Sequence, residues 1–163
     1  MFKKTGLGFC LGALLLCCAS SALAAEEAKM PEPTGAAVWK FITEESSFTD
    51  WKRLPEIPKT HGSYVPDTPE QKTYANNHAL ESTTHPLNNG AMVAKYNLSP
   101  ANEIKAISIM YKSKGYNPSA GDWFWVEYDP DGKILKEGKV ETCIKCHSAA
   151  ADRDYLLAHD IVK

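Results

Sequence analysis

The sequence predicts an α+β domain: an antiparallel β-sheet in meander order, helices packed on it, and a Cys-x-x-Cys-His string close to the C-terminus. Three observations predict it. Apolar residues recur at a helical period after Gly35 and again before Leu80, so helices lie early in the chain. Beyond Gly90 the apolar positions alternate instead, through four successive segments of strand length. The connections between those segments are too short for a helical crossover, which leaves antiparallel pairing.

The elements follow in order. Lys3 and Lys4, the apolar run Leu7 to Ala19 and the small-x-small string Ala22-Leu23-Ala24 read as a cleaved secretory signal over residues 1–24. The run is too short and wrongly flanked for a membrane span. A lipid anchor at Cys17 or Cys18 is the competing reading, against which Leu16 and Cys17 stand where Gly or Ala is wanted. Residues 25–34 form a polar, proline-bearing leader, and a helix follows from Gly35 to about Thr43, with Val38, Phe41 and Ile42 on one side and Trp39 at the edge. Residues 44–67, with three prolines, read as loop. Thr68-Pro69-Glu70-Gln71 then offers a cap, a proline at the first helical position and a capping box, so a second helix is expected from there to about Leu80.

Strands are expected over Ala91–Asn97, Glu103–Lys112, Asp122–Tyr128 and Lys133–Lys139. In the third, Trp123 and Trp125 oppose Phe124, Val126 and Tyr128. Asp129-Pro130-Asp131-Gly132 is a tight turn that makes a hairpin of the last two strands. Residues 25–50 are thus leader and first helix, and residues 51–163 carry the main domain. The whole chain, 163 residues and 44% hydrophobic, suffices for one packed core. Lys3 and Lys4 are the two basic residues lost with the signal, so 16 of 18 remain against 20 acidic ones, a net of −4. That balance excludes a broad attraction for nucleic acid or anionic lipid.

Cys143-Ile144-Lys145-Cys146-His147 carries the chemistry. Two thiols three positions apart can add to the two vinyl groups along one edge of a haem, and the next residue brings its imidazole beneath the iron. With Cys10, Cys17 and Cys18 removed, these are the last two cysteines, so a zinc site lacks a second pair. A redox disulfide would lack any need for the histidine. One covalent haem c is therefore expected, held by Cys143 and Cys146 and ligated by His147, in a protein exported to the periplasm where such haem is attached.

The sixth iron position separates an electron carrier from a ligand-binding site. Met110 and Met92 lie inside predicted strands, where core packing is the plain reading, and Met30 lies in the leader. His61, His78, His85 and His159 are not placed by any motif. The residues alone leave this position undecided.

The run from Gly90 to Lys95 (GAMVAK), Met110 to Lys112, Gly115 to Pro118, Gly121 to Trp125 (GDWFW) and Gly138 to Val140 leading into the haem motif resembles the cytochrome P-460 family, which includes the cytochromes c′-beta. His61-Gly62 with Tyr64 upstream fits as well, and the likeness runs from about Trp51 to Tyr155. The resemblance implies an antiparallel sheet with packed helices, frequent homodimers, and a haem with His147 proximal and the opposite face open. It implies a small gaseous or nitrogenous ligand such as nitric oxide, while the residues identify no redox partner protein. Some members instead carry a lysine bonded to the haem ring and oxidise hydroxylamine. Lys95 stands where the family pattern puts that lysine. It either faces inward as the cross-link or turns away while Met92 and Ala94 face in. Tyr96 departs from the acidic residue many relatives have next. Hydroxylamine oxidation also needs a proton acceptor, for which Glu103 and Glu127 are the strand-associated candidates or merely edge residues. Trp123, Phe124 and Trp125 could wall a haem or form plain core, and Asp152 and Arg153 could reach a propionate or merely start a final helix.

Overall fold

The structure, a computed structural model, describes residues 29–55, 72–157 and 161–162. The expected signal over residues 1–24, His61, Thr68 to Gln71 and His159 lie outside the described residues.

The first helix, α1, spans Gly35–Lys40 and runs on as a wider π-helical turn, Phe41–Glu45. The side chain of Thr34 caps it by accepting from the Ala37 N–H at 3.4 Å. Val38, Phe41 and Ile42 are buried, as the helical period predicts, and each stabilises the fold by about 1.5–3 kcal/mol through the apolar area it removes from water. The helix start sits tightly on the sheet. Glu137 accepts from the Gly35 N–H at 2.6 Å, and the buried Tyr128 hydroxyl donates to the Gly35 carbonyl at 2.7 Å.

Six strands form one antiparallel sheet in chain order: β1 (Lys52–Arg53), β2 (Lys72–Ala75), β3 (Met92–Leu98), β4 (Ile104–Lys112), β5 (Trp123–Tyr128) and β6 (Ile134–Gly138). The predicted meander is therefore present, with two additional strands at its leading edge. One correction concerns residues 72–80, the described part of the second expected helix. In place of a single capped helix, Lys72–Ala75 pairs with β3, and only a short helix, α2 (Asn77–Leu80), remains. Tertiary pairing wins over the expected helix at Lys72–Ala75, because β3 would otherwise expose an edge of unpaired amides. The cap is Asn76 instead. Its Oδ1 accepts from the Ala79 and Met92 N–H groups while its Nδ2 donates to the Gly90 carbonyl. A further correction falls in the stretch read as loop, where a 3-10 turn (Phe48–Asp50) precedes β1.

Alternation along the strands sorts two apolar layers. Met92, Ala94, Ile107, Ile109, Tyr111, Phe124, Val126 and Tyr128 pack with the α1 residues on one face of the sheet. Ala91, Val93, Met110, Trp123 and Trp125 pack on the other with Leu87, Leu156 and Ile161. Both faces are covered, and the second is covered from the C-terminus.

The β5–β6 hairpin closes as expected, with Asp129 Oδ1 accepting from the Asp131 and Lys133 N–H groups. Gly132 has φ +88, and a Cβ there would stand 2.4 Å from the Trp39 ring. Gly132→Ala therefore combines an unfavourable backbone with a clash and is expected to cost about 2 kcal/mol or more, read as a lower denaturant midpoint at unchanged slope. An unchanged midpoint would mean that Trp39 does not pack against the turn.

Candidate haem-attachment site

The last helix, α3 (Glu141–His147), follows β6 directly. Its first turn closes with the Cys143 and Ile144 N–H groups on the Val140 carbonyl, both at 3.0 Å. Cys143, Cys146 and His147 stand at helical positions i, i+3 and i+4, so one face of the helix carries all three. Val140, Cys143 and Ile144 pack against the second apolar layer. Both thiols are free, Cys143 half-buried and Cys146 exposed. Burial chiefly pushes the Cys143 thiol up, with Lys136 pulling the other way, which keeps it protonated at neutral pH.

His147 is the most constrained of the three. Its ring meets Trp125 edge to face at 4.7 Å between centroids, and its Nδ1 lies 2.7 Å from the Tyr155 carbonyl. A carbonyl only accepts, so Nδ1 carries the proton and Nε2 holds the free lone pair. Burial holds the imidazole below its ordinary pKa of 6.5; the Tyr155 carbonyl opposes this and the charge of Lys95 adds to it. The ring is neutral at physiological pH, the form that ligates a metal.

Lys95 is on this same face. Cross-strand register aligns Thr73, Lys95, Ser108, Glu127 and Lys136 in one row over β2 to β6. Lys95 does alternate away from Met92 and Ala94. However, the face it turns to is the one that α3 covers. Burial draws its amine below the ordinary lysine value, and the charge of Glu127 opposes this. Glu127 pairs with Lys136 at 3.2 Å, and Ser108 accepts from Asn97 Nδ2 at 2.7 Å. Glu103 is exposed, bonded to Lys105 at 2.8 Å, and belongs to a solvated surface pair away from this row.

The remaining candidates separate by layer. Met92 is fully buried on the α1 face, and Met30 packs against that same core. Met110 is on the α3 face, the cross-strand neighbour of Trp125. His78 lies on α2 and His85 is half-buried before Pro86. Trp123 and Trp125 line the α3 side while Phe124 faces α1. Asp152 and Arg153 fall in a 3-10 segment, Ser148–Arg153, Asp152 exposed and Arg153 half-buried. Sequence reasoning missed Tyr155, Asp154 and Lys112. Lys112 alone left a signal, a lysine continuing the apolar face of Ser108 and Met110.

Two free thiols and a neutral imidazole with Nε2 uncommitted, on one helical face, fit the donor set of a covalently attached haem. Among the described residues, no group of three or more His, Cys, Asp or Glu side chains is placed to hold a metal ion by itself. Nor is any described helix long and apolar enough to cross a membrane. No curated protein matches the chain. The family model described as Cytochrome P460 matches residues 45–158, a span that includes all six strands and α3. By that match the chain belongs to the cytochrome P460 family, whose members are haem cytochromes.

Proposed function

We propose that the protein is an exported mono-haem c-type cytochrome whose haem, bonded to Cys143 and Cys146 and ligated by His147, keeps an open distal face for small nitrogen ligands such as nitric oxide. The observation that carries the reading is the Nδ1–Tyr155 contact at 2.7 Å, which commits one ring nitrogen and leaves the other for iron. When bound, the haem supplies an iron centre that takes up a small ligand and cycles by one electron. The chain's own residues do the rest. Trp125 fixes the plane of the His147 ring, and α3 spaces the thiols. Residues 51–163 make up the haem domain in this reading, behind a cleaved signal and a leader.

Lys95 favours a second reading, a hydroxylamine-oxidising enzyme with a lysine–haem bond. A desolvated amine with a lowered pKa is more often neutral, and only the neutral amine is nucleophilic. Glu127, aligned with it through Ser108, is then the carboxylate to accept protons.

Optical spectra of the purified ferrous protein, with and without nitric oxide, test the proposal. A high-spin spectrum that the gas converts is expected. Sharp α and β bands unchanged by nitric oxide would overturn the open site and make the protein an electron carrier, with Met110 the described methionine on the right face. A lysine-containing haem peptide found after proteolysis would favour the enzyme.

A further inference from the structure

The acceptor for the His147 proton is the backbone of an unusual turn. Asp154 and Tyr155 both have positive φ, +53 and +66, and neither is a glycine. Consecutive left-handed residues with side chains persist only where surrounding contacts hold them. The two amides are satisfied locally, Asp154 N–H on Ala151 and Tyr155 N–H on Ala150. The orientation of the turn comes from the sheet.

Three elements converge on Asp154. Lys112, the last residue of β4, reaches its carboxylate with Nζ 2.5 Å from Oδ1 and 2.6 Å from Oδ2. The Leu87 N–H donates to Oδ2 at 2.8 Å, and the Trp123 indole N–H donates to the Asp154 carbonyl at 2.9 Å. Lys112 Nζ also sits over the Trp123 ring, 4.8 Å from its centroid. Gly121 lets the turn approach closely, since a Cβ there would stand 3.0 Å from the Tyr155 ring and 3.1 Å from Asp154 Oδ1. Lys112 and Asp154 are both buried. Without the ammonium, the buried carboxylate would keep the Leu87 N–H but lose its counter-charge. It must then take up a proton or move toward water, and either outcome removes the ionic contact that ties the turn to the end of β4.

We infer that Lys112 is a positioning residue for the proximal histidine: its buried pair with Asp154 locks the left-handed turn, and the turn aims the Tyr155 carbonyl at His147 Nδ1. The inference rests on the haem reading for its consequence at iron. A firm Nδ1–H···O=C bond fixes the tautomer, gives the imidazole more anionic character and strengthens Nε2 as a donor. It thereby favours ferric over ferrous iron. Lys112 and Asp154 thus act on the iron ligand through the backbone of the turn.

The test is Lys112→Met in the holoprotein, read by the iron–histidine stretching band of the ferrous state and by the reduction potential. The band is expected to shift to lower frequency and broaden, and the potential to rise. Lys112→Met/Asp154→Asn removes both charges while Asn keeps an acceptor for Leu87, so it is expected to return both readings toward the parent. Folded Lys112→Met with the parental band and potential would overturn the inference, as would a double variant no closer to the parent than the single one. If Lys112→Met does not fold, Asp154→Asn alone decides, and parental readings in it overturn the inference equally. A haemochrome assay on the parent separates the two proposals. If no covalent haem is found, the haem reading fails, and ¹⁵N spectra of His147 then show whether Lys112→Met loses the single Nδ1–H tautomer. An unchanged tautomer would overturn the inference by itself.

Discussion

Replacing Cys143 and Cys146 together by serine is expected to abolish covalent haem completely, so that a haem stain on a denaturing gel and the haem mass increment both vanish. The thioether bond needs a sulfur nucleophile, and a serine hydroxyl at neutral pH does not add to a vinyl group. Neither thiol is engaged in a disulfide, so the change removes no cross-link. Cysteine and serine are close in size, Cys146 is exposed and Cys143 only half-buried, so the cost to stability stays within about 1 kcal/mol. Loss of haem would therefore not be a by-product of unfolding, which the far-ultraviolet dichroism of the variant checks. Each single variant should retain one thioether and hence the stain. Retained stain in the double variant would remove the basis of the proposed site. His147→Ala is expected to differ in kind, keeping the covalent stain while abolishing the iron–histidine stretching band, because it removes the proposed iron ligand and leaves the sulfur anchors.

The strands β3, β4 and β5 were legible because alternation is a local property, and each one repeats it over six or more residues. The Cys-x-x-Cys-His string is local in the same way, since its three candidate donors fall within five residues. β2 was not legible. Lys72-Thr73-Tyr74-Ala75 is short, and what makes it a strand is the edge of β3, a partner some twenty residues further along. Lys95 shows a different limit. Sequence parity correctly separates it from Met92 and Ala94, yet parity cannot tell that both faces of the sheet are covered, or that α3 covers the one Lys95 occupies. The same step sets Met110 apart from Met92. The support of His147 was the least legible part, because its acceptor is a backbone carbonyl, which has no residue signature, and the Lys112–Asp154 pair spans 42 residues.

Lys112→Met should also be more destabilising than Gly132→Ala or either serine variant, lowering the free energy of unfolding by about 3–5 kcal/mol, because it strands the Asp154 carboxylate in the interior. Burial decides the magnitude. The side chains of Lys112 and Asp154 are 7% and 4% exposed, whereas those of Lys105 and Glu103 are 61% and 65% exposed at a similar separation. In water-exposed pairs, screening and side-chain entropy leave about 0–1 kcal/mol, so Lys105→Met should be nearly silent. In the buried pair, the desolvated carboxylate left behind costs more than the lost attraction does. Lys112→Met/Asp154→Leu removes both charges and should therefore recover much of the loss, even though it makes no new polar contact. It would do so without restoring the acceptor for the Leu87 N–H, so recovery should stop short by about 1–3 kcal/mol, the cost of one unsatisfied buried amide. Urea unfolding of the parent and these three variants at low and high salt reads all of this. The Lys112 effect should persist at high salt, where the mobile ions that screen surface pairs do not reach. A loss below about 1 kcal/mol, or one that salt erases, would mean that the pair is solvated and cannot hold the turn on which His147 depends.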